Sequence, residues 1–128
     1  MNYHFTKVLD CPFDEAVARA TKALADQGFG VLTTIDVAAT MKAKIGAEMK
    51  PYVILGACNP QFAYRALQAE NKIGTMLPCN VVVQDIGGGK SEVSAVNPLE
   101  SMSAIKNAAL EPIAGEVTSR LQTMISSL

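Results

Sequence analysis

Charge is sparse in this sequence. Asp, Glu, Lys and Arg make up 18% of its 128 residues, the formal net charge is −1, and no run is basic. Nucleic-acid binding by phosphate neutralisation therefore has no support. Cysteine is scarce too. Three cysteines, an odd count, do not make the disulfide framework of a small secreted domain, and a reducing cytoplasm is the expected compartment. No stretch reaches the ~18–20 apolar residues of a membrane span, so no membrane partner is expected. The opening Met1-Asn2-Tyr3-His4-Phe5 alternates like a strand and lacks the basic and long apolar regions of a signal peptide. Histidine occurs once, at His4, and no Ser or Cys has a recognisable partner for a triad. His4 reads as a strand-surface residue. Repeats, linkers and low-complexity segments are absent as well.

What remains is a strongly apolar chain, 49% hydrophobic, long enough to bury a core of its own. We read it as one α+β domain over 1–128. So little charge on so small a domain points to a second copy covering part of the surface, since homodimer interfaces resemble a cut core.

Periodicity divides the chain in the order β-α-β-α-β-α-β-β-α. Residues 3–9 alternate weakly, with Tyr3, Phe5 and Leu9 on one face. Pro12 suits a first helical position, and Asp14 and Glu15 complement the helix dipole. Phe13, Ala16, Val17, Ala20 and Leu24 then form one apolar stripe that Gly28 ends. Residues 29–35 make a second strand, with Phe29, Val31, Thr33 and Ile35 on one face. Asp36 caps a short helix carrying Val37, Met41 and Ile45, which Gly46 closes. Tyr52 to Ala57 is a nearly continuous apolar run, read as a central strand. Asn59 caps a third helix with Pro60 first and Ala63, Ala66 and Leu67 inside. A connector over 70–78 ends in Pro78. Val81, Val82 and Val83 mark a fourth strand, and Gly87-Gly88-Gly89 turns into a fifth, Glu92 to Val96. Asn97-Pro98 opens a short helical segment containing Met102 and Ile105. Leu110, Ile113, Val117, Leu121, Met124, Ile125 and Leu128 share one face of a last helix, with Pro112 in its first turn.

Most motif-like features have plain explanations. Gly89-Lys90-Ser91 looks like the end of a phosphate-binding loop. That motif needs a glycine where Gln84 stands, and a helix next rather than a strand. Asp14, Glu15 and Glu111 are helix-start charges rather than a carboxylate pair. The six methionines read as core filler.

Cys58 and Cys79 are the site-like exception. They occur in similar settings, Gly56-Ala57-Cys58-Asn59-Pro60 and Leu77-Pro78-Cys79-Asn80-Val81. Each stands at the mouth of an apolar strand and is followed by an asparagine. A thiolate is both nucleophile and soft-metal ligand. The helix beginning near Pro60 turns its positive end toward Cys58, and Asn59 and Asn80 offer hydrogen bonds to a thiolate or bound anion. Three readings stay open: packed core thiols, a ligand, metal or sulfur site, and a catalytic thiol. Two sulfurs are too few for a structural zinc site in one chain. Cys11, before Pro12, reads as a helix-entry residue.

The two cysteine segments, with Gly28-Phe29-Gly30-Val31-Leu32, Ile35-Asp36 and Asn97-Pro98, resemble the uncharacterised prokaryotic family catalogued as domain of unknown function 302. The resemblance covers nearly the whole chain. It implies a mostly antiparallel sheet of about five strands with helices packed on one face, a TATA-binding-protein-like layout without DNA binding, and a homodimer. It also implies that the strands at 52–57 and 81–86 are antiparallel neighbours, which would bring Cys58 and Cys79 together.

The leading expectation is a dimeric binding module that holds a small ligand, soft metal, haem or sulfur species at Cys58, Asn59, Cys79 and Asn80. A thiol enzyme with Cys58 as nucleophile is the first alternative. A structural partner protein without chemistry is the second. The sequence specifies no cofactor.

Overall fold

The computed structural model describes residues 2–128. Five strands form one sheet: β1 (His4–Leu9), β2 (Gly30–Asp36), β3 (Tyr52–Cys58), β4 (Cys79–Gly87) and β5 (Lys90–Val96). Their order is β1-β5-β4-β3-β2, and every neighbouring pair is antiparallel. The helices are α1 (Phe13–Asp26), α2 (Val37–Ile45), α3 (Pro60–Ala69), the single turn α4 (Pro98–Ser101) and α5 (Glu111–Ser126). This is the α+β architecture expected from the sequence.

Alternation along the strands builds the core. Leu9, Val53, Leu55, Val81, Val83, Val93 and Ala95 are buried and meet Ala16, Ala20 and Leu24 of α1 with Val117, Leu121 and Met124 of α5. The small alanines of α1 let that helix lie close to the sheet. Fully buried leucines such as Leu24 and Leu121 each contribute about 1.5–3 kcal/mol by leaving water. A second, smaller cluster gathers Ala66, Ile73, Leu110 and Ile113 under α3.

Local signals explain the boundaries. Asp36 accepts from the Ala39 amide at 2.9 Å and starts α2, which Gly46 ends in the left-handed region at φ 68°. Asn59 accepts from the Phe62 amide at 3.3 Å and starts α3. Gly87, Gly88 and Gly89 all have positive φ and form the turn between β4 and β5, so Gly89-Lys90-Ser91 belongs to a hairpin and cradles no phosphate.

Met41, Met49 and Met76 are exposed rather than core filler, and the helix that Pro98 opens ends at Ser101, short of Met102 and Ile105. Three further details differ from the sequence reading. Pro12 is the N-cap of α1, not its first residue. Tyr3 precedes β1 and is 72% exposed, leaving Phe5 and Leu9 to face the core. The third is a bulge in β2 between Val31 and Thr33. Val31 stands opposite Ala57, but beyond the bulge Thr34, not Thr33, stands opposite Leu55. An extra residue shifts the two-residue alternation, so Thr33 and Ile35 leave the face that Phe29 and Val31 share.

Candidate functional site

An apolar cavity lies between the two hydrophobic clusters, with residues of both in its wall. It encloses about 330 Å³. Ala57, Cys58 and Cys79 contribute from the ends of β3 and β4. Phe62, Ala63, Ala66 and Leu67 come from α3, and Ile113, Ala114 and Val117 from α5. Phe29 and Leu32 approach from β2 and its entry, Leu77 and Pro78 from the connector, and Met102 and Leu110 from the segment before α5. Leu32 and Leu67, both exposed, mark an opening to solvent.

Several polar contacts hold this frame. Asn107 Nδ2 donates to the Ala69 carbonyl at 2.8 Å, tying the segment before α5 to the end of α3. Thr118 Oγ1 and Asn97 Oδ1 lie 3.2 Å apart, and each accepts from the Leu99 amide. Arg120 Nη1 donates to the Gln27 carbonyl at 3.1 Å, which couples α5 to the turn before β2. The same guanidinium stands 5.0 Å from the centre of the Phe62 ring, and that of Arg65 stands 5.6 Å from it. Both distances are within the range of a cation–π attraction.

Three of the four residues singled out in the sequence line this cavity: Cys58, Asn59 and Cys79. Ala57 pairs with Cys79 across the β3–β4 ladder, and Cys58 is the next residue. The structure does not bond the sulfurs, since Cys11, Cys58 and Cys79 are all free thiols. Asn80 lies elsewhere. It follows Cys79 in β4, and alternation turns it to the opposite sheet face beside Tyr52, Gln84 and Ser94. The structure therefore does not bring Asn80 to the cavity with the two thiols.

The two cavity thiols have different surroundings. Cys58 is partly accessible and directly precedes the N-cap of α3. Cys79 is 8% exposed. Burial, and secondly the neighbouring Cys58, push its thiol up to about 11. At neutral pH Cys79 is thus a protonated, weakly polar wall residue rather than a nucleophile. Cys11 is buried under α1, where Arg19 Nη1 approaches its sulfur at 3.6 Å. His4 contacts Thr6 at 2.6 Å and takes no part in the cavity.

The sequence reading missed Phe62, Leu110, Ile113 and Arg120 as site residues. Leu110 and Ile113 were visible only as members of a core stripe. Nothing local distinguishes a stripe that fills a core from one that lines a gap. Among the described residues, no group of three or more His, Cys, Asp or Glu is arranged to hold a metal ion. No helix among them is long and apolar enough to cross a membrane.

Comparison with known proteins places the chain. The family described as "Domain of unknown function DUF302" matches residues 5–128, and this protein belongs to that family. Among solved structures, it is similar to the uncharacterized conserved protein DUF302 from Bacillus stearothermophilus. The two share 30% sequence identity over 98% of each chain, with a TM-score of 0.89. No curated protein matches the chain.

Proposed function

We propose that this protein is a small-ligand binding module that works as a homodimer and holds an organic molecule in the cavity bordered by Cys58, Asn59 and Cys79. One observation carries this reading: an open, predominantly apolar cavity of about 330 Å³, within the size range of small-molecule sites. Such a void is not a packing accident of the kind cores normally avoid. It is more than ten times the ~30 Å³ that a water occupies in the liquid, which favours a molecule over a lone metal ion or sulfur atom. Haem is disfavoured because a space this near the lower end of the ligand-site range suits a smaller ligand.

A thiol enzyme is the weaker reading. Cys58 is accessible, but no acid or base lines the cavity beside it. The dimer is supported by α2, which buries none of its residues, and by exposed Leu32, Ile35, Met41, Ile45 and Met49 along the β2–α2 border. Apolar side chains gathered on one edge are a usual mark of an association surface. Three free thiols support a reducing, cytoplasmic setting.

Binding of the neutral fluorophore N-phenyl-1-naphthylamine, and its displacement by 1-decanol, tests the cavity. A saturable signal at one molecule per chain is expected. Failure of both molecules to bind would contradict the reading. Sedimentation at micromolar concentration tests the dimer, and a persistent monomer would remove that part.

A further inference from the structure

Residues 30–49 contain a complete strand and a complete helix, β2 and α2, yet none of them is buried. β2 ends the sheet, with β3 on one side and no strand on the other. An open groove runs between Thr34, Ile35 and Asp36 of the strand and Ala39, Thr40 and Ala43 of the helix. Ile45 is 74% exposed and Leu32 68%, and Ile35, Met41 and Met49 of the same segment are exposed as well. Asp36 and Lys44 border the groove, and neither has an ionic partner among the described residues. A single acid and a single base on one apolar surface suit a second copy of that surface. A two-fold contact sets each patch against its own equivalent, so the acid of one copy can meet the base of the other. The extent fits too. A stable interface takes roughly 20–30 residues from each partner, and this one segment is of that order.

Leu32 joins this surface to the cavity. It lines the cavity wall and stands at the β2 bulge, between Val31 and Thr33. Because Leu32 is exposed, the cavity is open to water on that side. We infer that a second copy of the chain seats on the β2–α2 surface and completes the cavity wall at Leu32, so that dimer formation and ligand binding are coupled. This rests on the binding-module reading and adds a means of regulation to it. An apolar site covered at its mouth removes more of its occupant from water, and the hydrophobic gain follows the apolar area removed. The dimer therefore binds the ligand more tightly than the monomer does. Coupling is reciprocal, so each bound ligand tightens the dimer by the same factor, typically about 5–150-fold.

The test uses N-phenyl-1-naphthylamine as probe. Its affinity is measured by fluorescence at protein concentrations below and above the dimer dissociation constant, which sedimentation supplies. Wild-type affinity is expected to rise at least about fivefold between the two, and saturating probe should lower the dimer dissociation constant by at least about fivefold. Ile45→Glu places a charge on the surface at a residue that does not line the cavity. It should leave a monomer with the circular dichroism of wild type and the weaker probe affinity of dilute wild type. Ile45→Leu should keep the dimer and the tighter binding. Probe affinity that stays constant while sedimentation shows monomer becoming dimer would overturn the coupling and leave the binding module standing. A persistent monomer that binds the probe would do the same. A dimer undisturbed by Ile45→Glu would place the interface elsewhere and overturn the inference. Failure of both the probe and 1-decanol to bind would overturn the binding module and the coupling together.

Discussion

Pro78 lies so close over Gly56 that a Cβ on Gly56 would come within 2.8 Å of the Pro78 ring, and the Thr33 hydroxyl crowds the same position. Three segments, β2, β3 and the entry to β4, thus meet where only hydrogen fits. Gly56→Ala is expected to lower stability by about 1–3 kcal/mol through overpacking. Thr33→Ala should recover part of that loss when combined with it, giving a coupling of at least about 0.5 kcal/mol. Urea denaturation of the two single variants and the double variant measures this. Additive losses would mean that Thr33 is not the obstacle.

Cys79 makes stability depend on alkaline pH. Its thiol rises from an ordinary 9.0 to about 11 on folding. Below 9.0 it is protonated in both states and the dependence is flat. Between 9.0 and about 11 the unfolded chain releases the proton while the folded chain keeps it, so stability falls as pH rises. Two pKa units correspond to at most about 3 kcal/mol. Chemical denaturation across that window should show a steeper decline for wild type than for Cys79→Ala. Parallel curves would mean that Cys79 ionises freely in the folded state.

The three thiols should label in a fixed order. Cys58 is partly accessible, whereas Cys79 and Cys11 are buried. Alkylation of native protein at neutral pH, read site by site by mass spectrometry, is expected to modify Cys58 first and Cys79 much more slowly. Decanol at saturation should slow labelling of Cys58, because that residue lines the occupied cavity. Faster labelling of Cys79 would contradict its burial.

Asn59 has a structural task besides its place in the cavity wall. Asn59→Ala removes the cap on α3 and is expected to cost about 1 kcal/mol. Asn59→Asp should cost much less, since a carboxylate at a helix N-terminus is favourable. Thermal unfolding of both variants decides this. Equal losses would show that the Oδ1 contact does not support the helix.

Much of this architecture is legible in the sequence because its signals are local. Asp36, Asn59 and Asn97 each cap the helix assigned to them, and the Gly87–Gly89 turn joins β4 to β5 as its composition requires. The bulge at Leu32 is not legible, because an apolar run over 29–35 reads the same with or without an extra residue. The place of Asn80 follows from strand alternation alone once Cys79 is known to begin β4. The cavity is different in kind. It depends on α3, α5 and the β3–β4 end meeting imperfectly, and on Arg120 reaching Gln27 from 93 residues away in sequence. No local pattern records such a gap.

The most direct test of the central claim is whether filling the cavity abolishes binding. Ala63 lines the space and is only partly buried, so Ala63→Phe can place a ring in the void without displacing the main core. Titration with 1-decanol should give one site per chain in wild type and at least a tenfold loss in Ala63→Phe, with little change in thermal stability. Equal binding by the two proteins would place the ligand elsewhere and contradict the account.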